Sequence, residues 1–173
     1  MEELWDLYDK NRNPLGKKVA RGNHDGCAAY HIVVFVAVKN SNGEYLITKR
    51  SPEKHFGGKW EFTGGSAVAG ESSEQAAIRE AFEETGIDHT KSKRRFLGTQ
   101  IAIWDDGKLG WHGDFDDIWL FEADFPIETV RLQEHETTDA KWVSVDKLLE
   151  MKADGSFSNH KILSFVLSST EGE

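Results

Sequence analysis

Gly65-Ser-Ala-Val-Ala-Gly70-Glu71-Ser72-Ser-Glu-Gln75-Ala-Ala-Ile78-Arg79-Glu80-Ala81-Phe82-Glu83-Glu84-Thr85-Gly86-Ile87 begins as a glycine loop and turns into a helix. Ser72 followed by Gln75 has the spacing of a capping box, which sets the helix start. Gly86 is the natural stop, because glycine takes the left-handed dihedrals that close a helix. Between these signals Ile78, Ala81, Phe82 and Thr85 fall on one face at helical spacing. Glu80, Glu83 and Glu84 fall on the other, at i, i+3 and i+4.

The acidic face works against the helix. Carboxylates three and four apart repel by roughly 0.2–0.5 kcal/mol per pair. Glu83 and Glu84 also stand in the last turn, where the helix dipole is already negative. A solvated acidic face is one reading. A site for a hard divalent cation is the other, since clustered carboxylate oxygens suit magnesium or manganese and coordination offsets the repulsion.

The whole chain has 173 residues, a length for one domain with a sizeable core. Its net charge of −9 argues against a broad nucleic-acid footprint, so no nucleic-acid polymer is expected as a partner. An anionic substrate then needs a cation or a few basic side chains. The single cysteine, Cys27, allows no intrachain disulfide, in keeping with a reducing cytoplasm. The acidic N-terminus lacks an apolar signal core, and no run is long enough to cross a membrane.

Around the helix, strands and helices interleave without a βαβ rhythm. Leu4 to Asp9 and Lys17 to Arg21 flank the turn Asn11-Arg12-Asn13-Pro14-Leu15-Gly16, predicting an N-terminal β-hairpin. His31 to Val38 reads as a central strand, Asn42-Gly43 as its hairpin turn and Tyr45 to Arg50 as the return. Trp60 to Phe62, Arg95 to Trp104, Ile118 to Ala123 and Lys141 to Val143 read as further strands. Lys108 to Asp116 and Thr129 to Asp139 read as loops. Ser144 caps a helix over Val145 to Met151, and Ser158 a last one through Leu167. The fold class is α/β, a mixed sheet between helices.

The central stretch matches G-x5-E-x7-R-E-U-x-E-E-x-G-U, with U a bulky apolar residue, at Gly65, Glu71, Arg79, Glu80, Ala81, Glu83, Glu84, Gly86 and Ile87. It resembles the Nudix family, Ala81 being smaller than the usual aliphatic. The resemblance implies an α/β/α sandwich, with residues 1–28 as a hairpin extension and 29–170 as the domain. It implies a hydrolase that cleaves a diphosphate linkage in a nucleoside diphosphate joined to another moiety, using Mg2+ or Mn2+. Metal ligands would be Glu80, Glu83, Glu84 and the Gly65 carbonyl, with Glu80 serving as general base in some relatives. Arg79 and Glu71 would orient these carboxylates.

Outside the box, Lys49, Arg50 and Lys59 are either phosphate-binding residues or solvated charges. Glu134 or Glu136 is a candidate late ligand or base, and Trp104, Trp111 and Phe115 are candidates to stack on a substrate ring. The opening Trp5-Asp6-Leu7-Tyr8-Asp9 also resembles the branch related to isopentenyl-diphosphate isomerase, with His24 and His31 in place of its N-terminal histidines. The isomerase's proton-relay cysteine has no counterpart in Thr63-Gly64-Gly65-Ser66. A non-catalytic nucleotide-binding sensor is a third reading, disfavoured by the intact box. The hairpin is available as a homodimer interface.

Overall fold

The computed structural model describes residues 3–22, 28–105 and 111–171; His24 and Cys27 lie outside them. The strand β3 (Tyr30–Lys39) is the axis of a nine-stranded mixed sheet. Its β-branched and aromatic run buries side chains on both faces, as a central strand must. One edge of β3 is taken along its whole length by β8 (Trp111–Glu122), in parallel register from Tyr30↔Gly113 to Lys39↔Glu122. The other edge is shared. β1 (Leu4–Tyr8) meets it at Tyr8↔Tyr30, β6 (Thr63–Ser66) at Val33↔Ser66 to Val36↔Thr63, and β4 (Tyr45–Arg50) at Val38↔Leu46 and Lys39↔Tyr45.

β2 (Pro14–Ala20) completes the N-terminal hairpin, β5 (Trp60–Glu61) and β9 (Thr137–Val143) flank β4, and β7 (Lys93–Asp105) pairs with β8. Period-two alternation divides the core into two layers. On one face Ala37, Ile118 and Leu120 pack under α2 (Val145–Ala153) and α3 (His160–Thr170), through Leu148, Met151, Ile162, Leu163 and Val166. On the other, Val34, Val36 and Phe121 meet Ala76, Ala77 and Ala81 of α1 (Ser73–Thr85). The alanines let α1 lie close to the sheet. The result is the α/β/α sandwich.

The capping box forms as read, with Gln75 N–H donating to Ser72 Oγ at 3.2 Å and Gln75 Oε1 accepting from Ser72 N–H at 2.9 Å. Gly86 closes α1 at φ 69°. Three expectations fail. Phe82 is 52% exposed, and the buried face of α1 is made of Ala76, Ala77, Ala81, Thr85 and Glu84. The stretch Trp111 to Asp116 is strand, because pairing with both β3 and β7 overrides its polar, glycine-containing composition. The last helix takes its cap from Asn159, whose Oδ1 accepts from Ile162 N–H at 3.1 Å, rather than from Ser158.

His89 is fully buried beside Phe121 and Phe125, and among the described residues its Nε2 has no hydrogen-bond partner. Burial, opposed by Asp88, lowers its pKa from 6.5 to about 4. The neutral ring is the one that fits. The unfolded chain therefore binds the extra proton between these values, so this contribution is complete above pH 6.5 and is lost as pH falls through about 4. The full loss is on the order of 3 kcal/mol. His89→Gln, which does not titrate, should flatten the stability profile from denaturant unfolding over this window. Parallel profiles for the two proteins would show that His89 is not the acid-sensitive group.

Candidate active site

A cavity of about 750 Å³ opens on the face of the sheet that carries Phe35, Ile118 and Phe62, and Glu80, Glu83 and Glu84 line it. Two glycines of β6 make room at this edge of the cavity. A Cβ on Gly64 would stand 2.2 Å from the Val34 carbonyl oxygen, and one on Gly65 would stand 2.5 Å from the Glu80 carboxyl. The first glycine keeps β6 against the β3 backbone, and the second leaves the Glu80 carboxylate room to rest on the strand, where a larger residue would push it aside.

Arg79 braces the acidic groups. Its Nε donates to Glu71 Oε1 at 2.7 Å and its Nη2 to Glu71 Oε2 at 2.9 Å, a bidentate pair. Nη1 reaches Glu80 Oε1 at 2.8 Å and Glu83 Oε2 at 3.0 Å, and Nη2 also reaches the Ser66 carbonyl at 3.1 Å. Burial pushes the Glu71 pKa up, but the Arg79 bonds and the Val68 amide outweigh it and hold the group below its ordinary value. The same contacts hold Arg79 above its ordinary value.

The three glutamates stand in different surroundings. Glu83 is exposed at the rim. Glu80 is raised by burial, against the pull of Arg79 and with the push of Glu83 and Glu3. Glu84 is 6% exposed, accepts a short hydrogen bond from Thr63 Oγ1, and lies 3.5 Å from Thr48 Oγ1. Burial pushes it up to about 8, with Thr63 opposing and Glu61 and Glu80 adding to the rise. A buried carboxylate among like charges is costly unless a cation joins it.

Among the described residues no three His, Cys, Asp or Glu side chains already converge as a cage. The donor set nevertheless fits a hard divalent ion, being carboxylate oxygens beside the half-buried, cavity-lining backbone at Gly65.

Other residues separate more sharply. Arg50 lines the cavity, with Nη1 donating to Glu61 Oε1 at 3.0 Å and Nε to the His55 carbonyl at 2.6 Å. Lys59 and Lys49 are not among the lining residues, and Lys49 lies over the Trp60 ring, 5.8 Å from its centroid. The Glu134 side chain is 90% exposed and outside the cavity, beside the turn through His135 at φ 65°. Glu136 lines the cavity instead and pairs with Lys54. Trp104 lines it too, whereas Phe115 is buried against Tyr30, ring centroids 4.8 Å apart. Trp111 opens β8 opposite Asp105, and its side chain lies outside the described residues.

The cavity also recruits residues that sequence reasoning passed over. Glu3 and Arg21 come from the hairpin, Glu61 from β5, Asp116 from β8 and Lys161 from α3. Strand alternation in β8 is the signal that would have found Asp116.

The NUDIX domain model matches residues 29–164. An uncharacterized Nudix hydrolase of Listeria monocytogenes is 35% identical over 161 residues, covering 91% of this chain and 88% of its own. The NAD-capped RNA hydrolase NudC of Haemophilus influenzae is 30% identical over 143 residues, covering 80% of this chain and 50% of its own. In structure, the Deinococcus radiodurans protein DR0079 superposes with a TM-score of 0.74 at 22% identity, covering 98% of this chain and 100% of its own. The NUDIX domain of Shewanella oneidensis NrtR, solved with ADP ribose, gives 0.63 at 19% identity, covering 86% and 93%. With the matched domain spanning β3 to β9 and the braced glutamates of α1, this chain belongs to the Nudix family of hydrolases.

Proposed function

We propose that the chain hydrolyses a diphosphate linkage in a nucleoside diphosphate joined to another moiety, or in a related diphosphate compound, with Mg2+ or Mn2+ held by Glu80, Glu83, Glu84 and the Gly65 carbonyl. The observation that carries this reading is the buried, raised Glu84 carboxylate in the same cavity as Glu80 and Glu83. The bound ion would neutralise phosphate charge and lower the pKa of a water. The residues do the rest. Arg79, fixed by Glu71, keeps Glu80 and Glu83 aimed across the cleft. Glu80 or Glu84 accepts the water's proton, a task suited to a carboxylate raised toward neutrality. Arg50, one of the lining cations, would meet a phosphate oxygen.

The test is a screen of diphosphate compounds with magnesium or manganese, reading phosphate or nucleotide release. Release from none of them would refute hydrolysis. Proton exchange into isopentenyl diphosphate would instead identify the isomerase-like branch suggested by the N-terminal stretch.

Metal binding should also stabilise the fold. At magnesium about tenfold above its dissociation constant, linkage gives roughly 1.4 kcal/mol. For a domain of this size the melting temperature should rise by about 3–6 °C. An unchanged melting temperature with both ions would count against the metal site.

A further inference from the structure

Asp116 is a charged group in the cavity that the hydrolytic reading leaves without a task. It is 8% exposed, lines the cavity, and among the described residues its carboxylate accepts no hydrogen bond. Lys161 is the cation that draws on it, while Asp114 and Asp117 repel. Burial pushes it up to about 7. Lys161 offsets part of this cost by charge, and a largely buried carboxylate with no hydrogen-bond donor among the described residues gains from one brought to it.

Its position is set by the strands. Ser66, next to Gly65, pairs with Val33 across one edge of β3, and Asp116 pairs with Val33 across the other. Two strand spacings separate Ser66 from Asp116, roughly 10 Å. That interval is the reach of a nucleoside from its diphosphate to the edge of its base. Gln100 is the register partner of Asp116 on β7 and lines the same cavity, its amide also without a side-chain hydrogen bond among the described residues. Phe35 and Trp104 supply flat faces on this side of the sheet. Flat walls suit a planar ring better than a sugar diol.

We propose that Asp116 is a specificity residue, and that the group it reads is a nitrogen heterocycle presenting two adjacent N–H donors, as the ring N–H and exocyclic amino group of guanine do. The two carboxylate oxygens accept from both donors, and the Gln100 amide meets the neighbouring acceptor. This deepens the proposed hydrolysis and rests on it for the placement of the diphosphate.

The experiment compares guanosine and inosine diphosphate compounds, which differ in the exocyclic amino group alone, on wild-type enzyme and Asp116→Asn. Wild type should favour guanosine by at least about tenfold in kcat/KM, the scale of a hydrogen bond to a charged group. The difference should fall on KM. Asp116→Asn should raise the guanosine KM and bring the two compounds within about threefold, with a melting curve that verifies folding. Equal kcat/KM in wild type, or a preference that survives Asp116→Asn, overturns the assignment while leaving hydrolysis intact. If neither compound is cleaved, calorimetric binding of guanosine and inosine monophosphates reads the same discrimination. Equal affinities there overturn the assignment. Absence of cleavage across all diphosphates overturns the hydrolytic reading separately.

Discussion

Glu84→Gln should lower hydrolysis by at least about a hundredfold without lowering the melting temperature. Glutamine keeps the size and helix propensity of glutamate, so α1 should still form. The amide carbonyl of the replacement side chain can still accept from Thr63, and the repulsion from Glu61 and Glu80 is removed. Stability of the metal-free protein should hold or rise, most visibly above pH 8, where the native carboxylate is forced to ionise. Activity should fall, because the lost charge weakens both ion binding and proton acceptance. Glu128→Gln is the control: Glu128 is exposed and outside the cavity, so turnover should change by less than about twofold. Glu74 is less suitable, since its Oε1 accepts from Arg94 Nε at 2.9 Å. Near wild-type turnover of Glu84→Gln at saturating magnesium would mean that the box is not the active site.

What could be read from the sequence was what local chemistry determines. The limits of α1 follow from Ser72, Gln75 and Gly86, all within the segment they bound. The strands β3 and β4 follow from a β-branched run and an Asn-Gly turn, and Gly43 has the positive φ that the turn requires. What could not be read depends on partners distant in the chain. Gly113, Asp114 and Asp116 look like loop until two neighbouring strands pair with them. Helical spacing placed Phe82 with the apolar face, but the sheet accepts α1 through its alanines and leaves Phe82 outside. The same rotation buries Glu84, turning one of three equivalent-looking glutamates into the distinctive group of the site. Glu134 and Glu136 differ by two positions and by a turn that sequence does not display, yet one faces solvent and the other the cavity.

The hairpin shows this distance effect most sharply, because its anchor joins residues 105 positions apart. Arg12 sits at the hairpin turn with φ 64° and sends its guanidinium to Asp117, which is fully buried on β8. Nη1 donates to Asp117 Oδ1 at 2.7 Å, Nη2 makes a short bond to Oδ2, and Thr99 Oγ1 donates to Oδ1 at 2.6 Å. The guanidinium also lies 5.4 Å from the Phe115 ring centroid. Arg12→Ala would leave the Asp117 charge buried with Thr99 alone, at a cost of about 3 kcal/mol. For a chain of this length that corresponds to a fall of roughly 6–12 °C in melting temperature. Arg12→Lys should recover little of it, since an ammonium cannot make the paired bond. Asp117→Asn removes the stranded charge, so adding it to Arg12→Ala should restore more stability than independent effects allow. Urea unfolding of the two single variants and the double variant measures this coupling. Additive losses, or a melting temperature unchanged by Arg12→Ala, would show that the hairpin is held by its apolar contacts, Trp5, Leu7, Val19 and Ala29, and not by this pair.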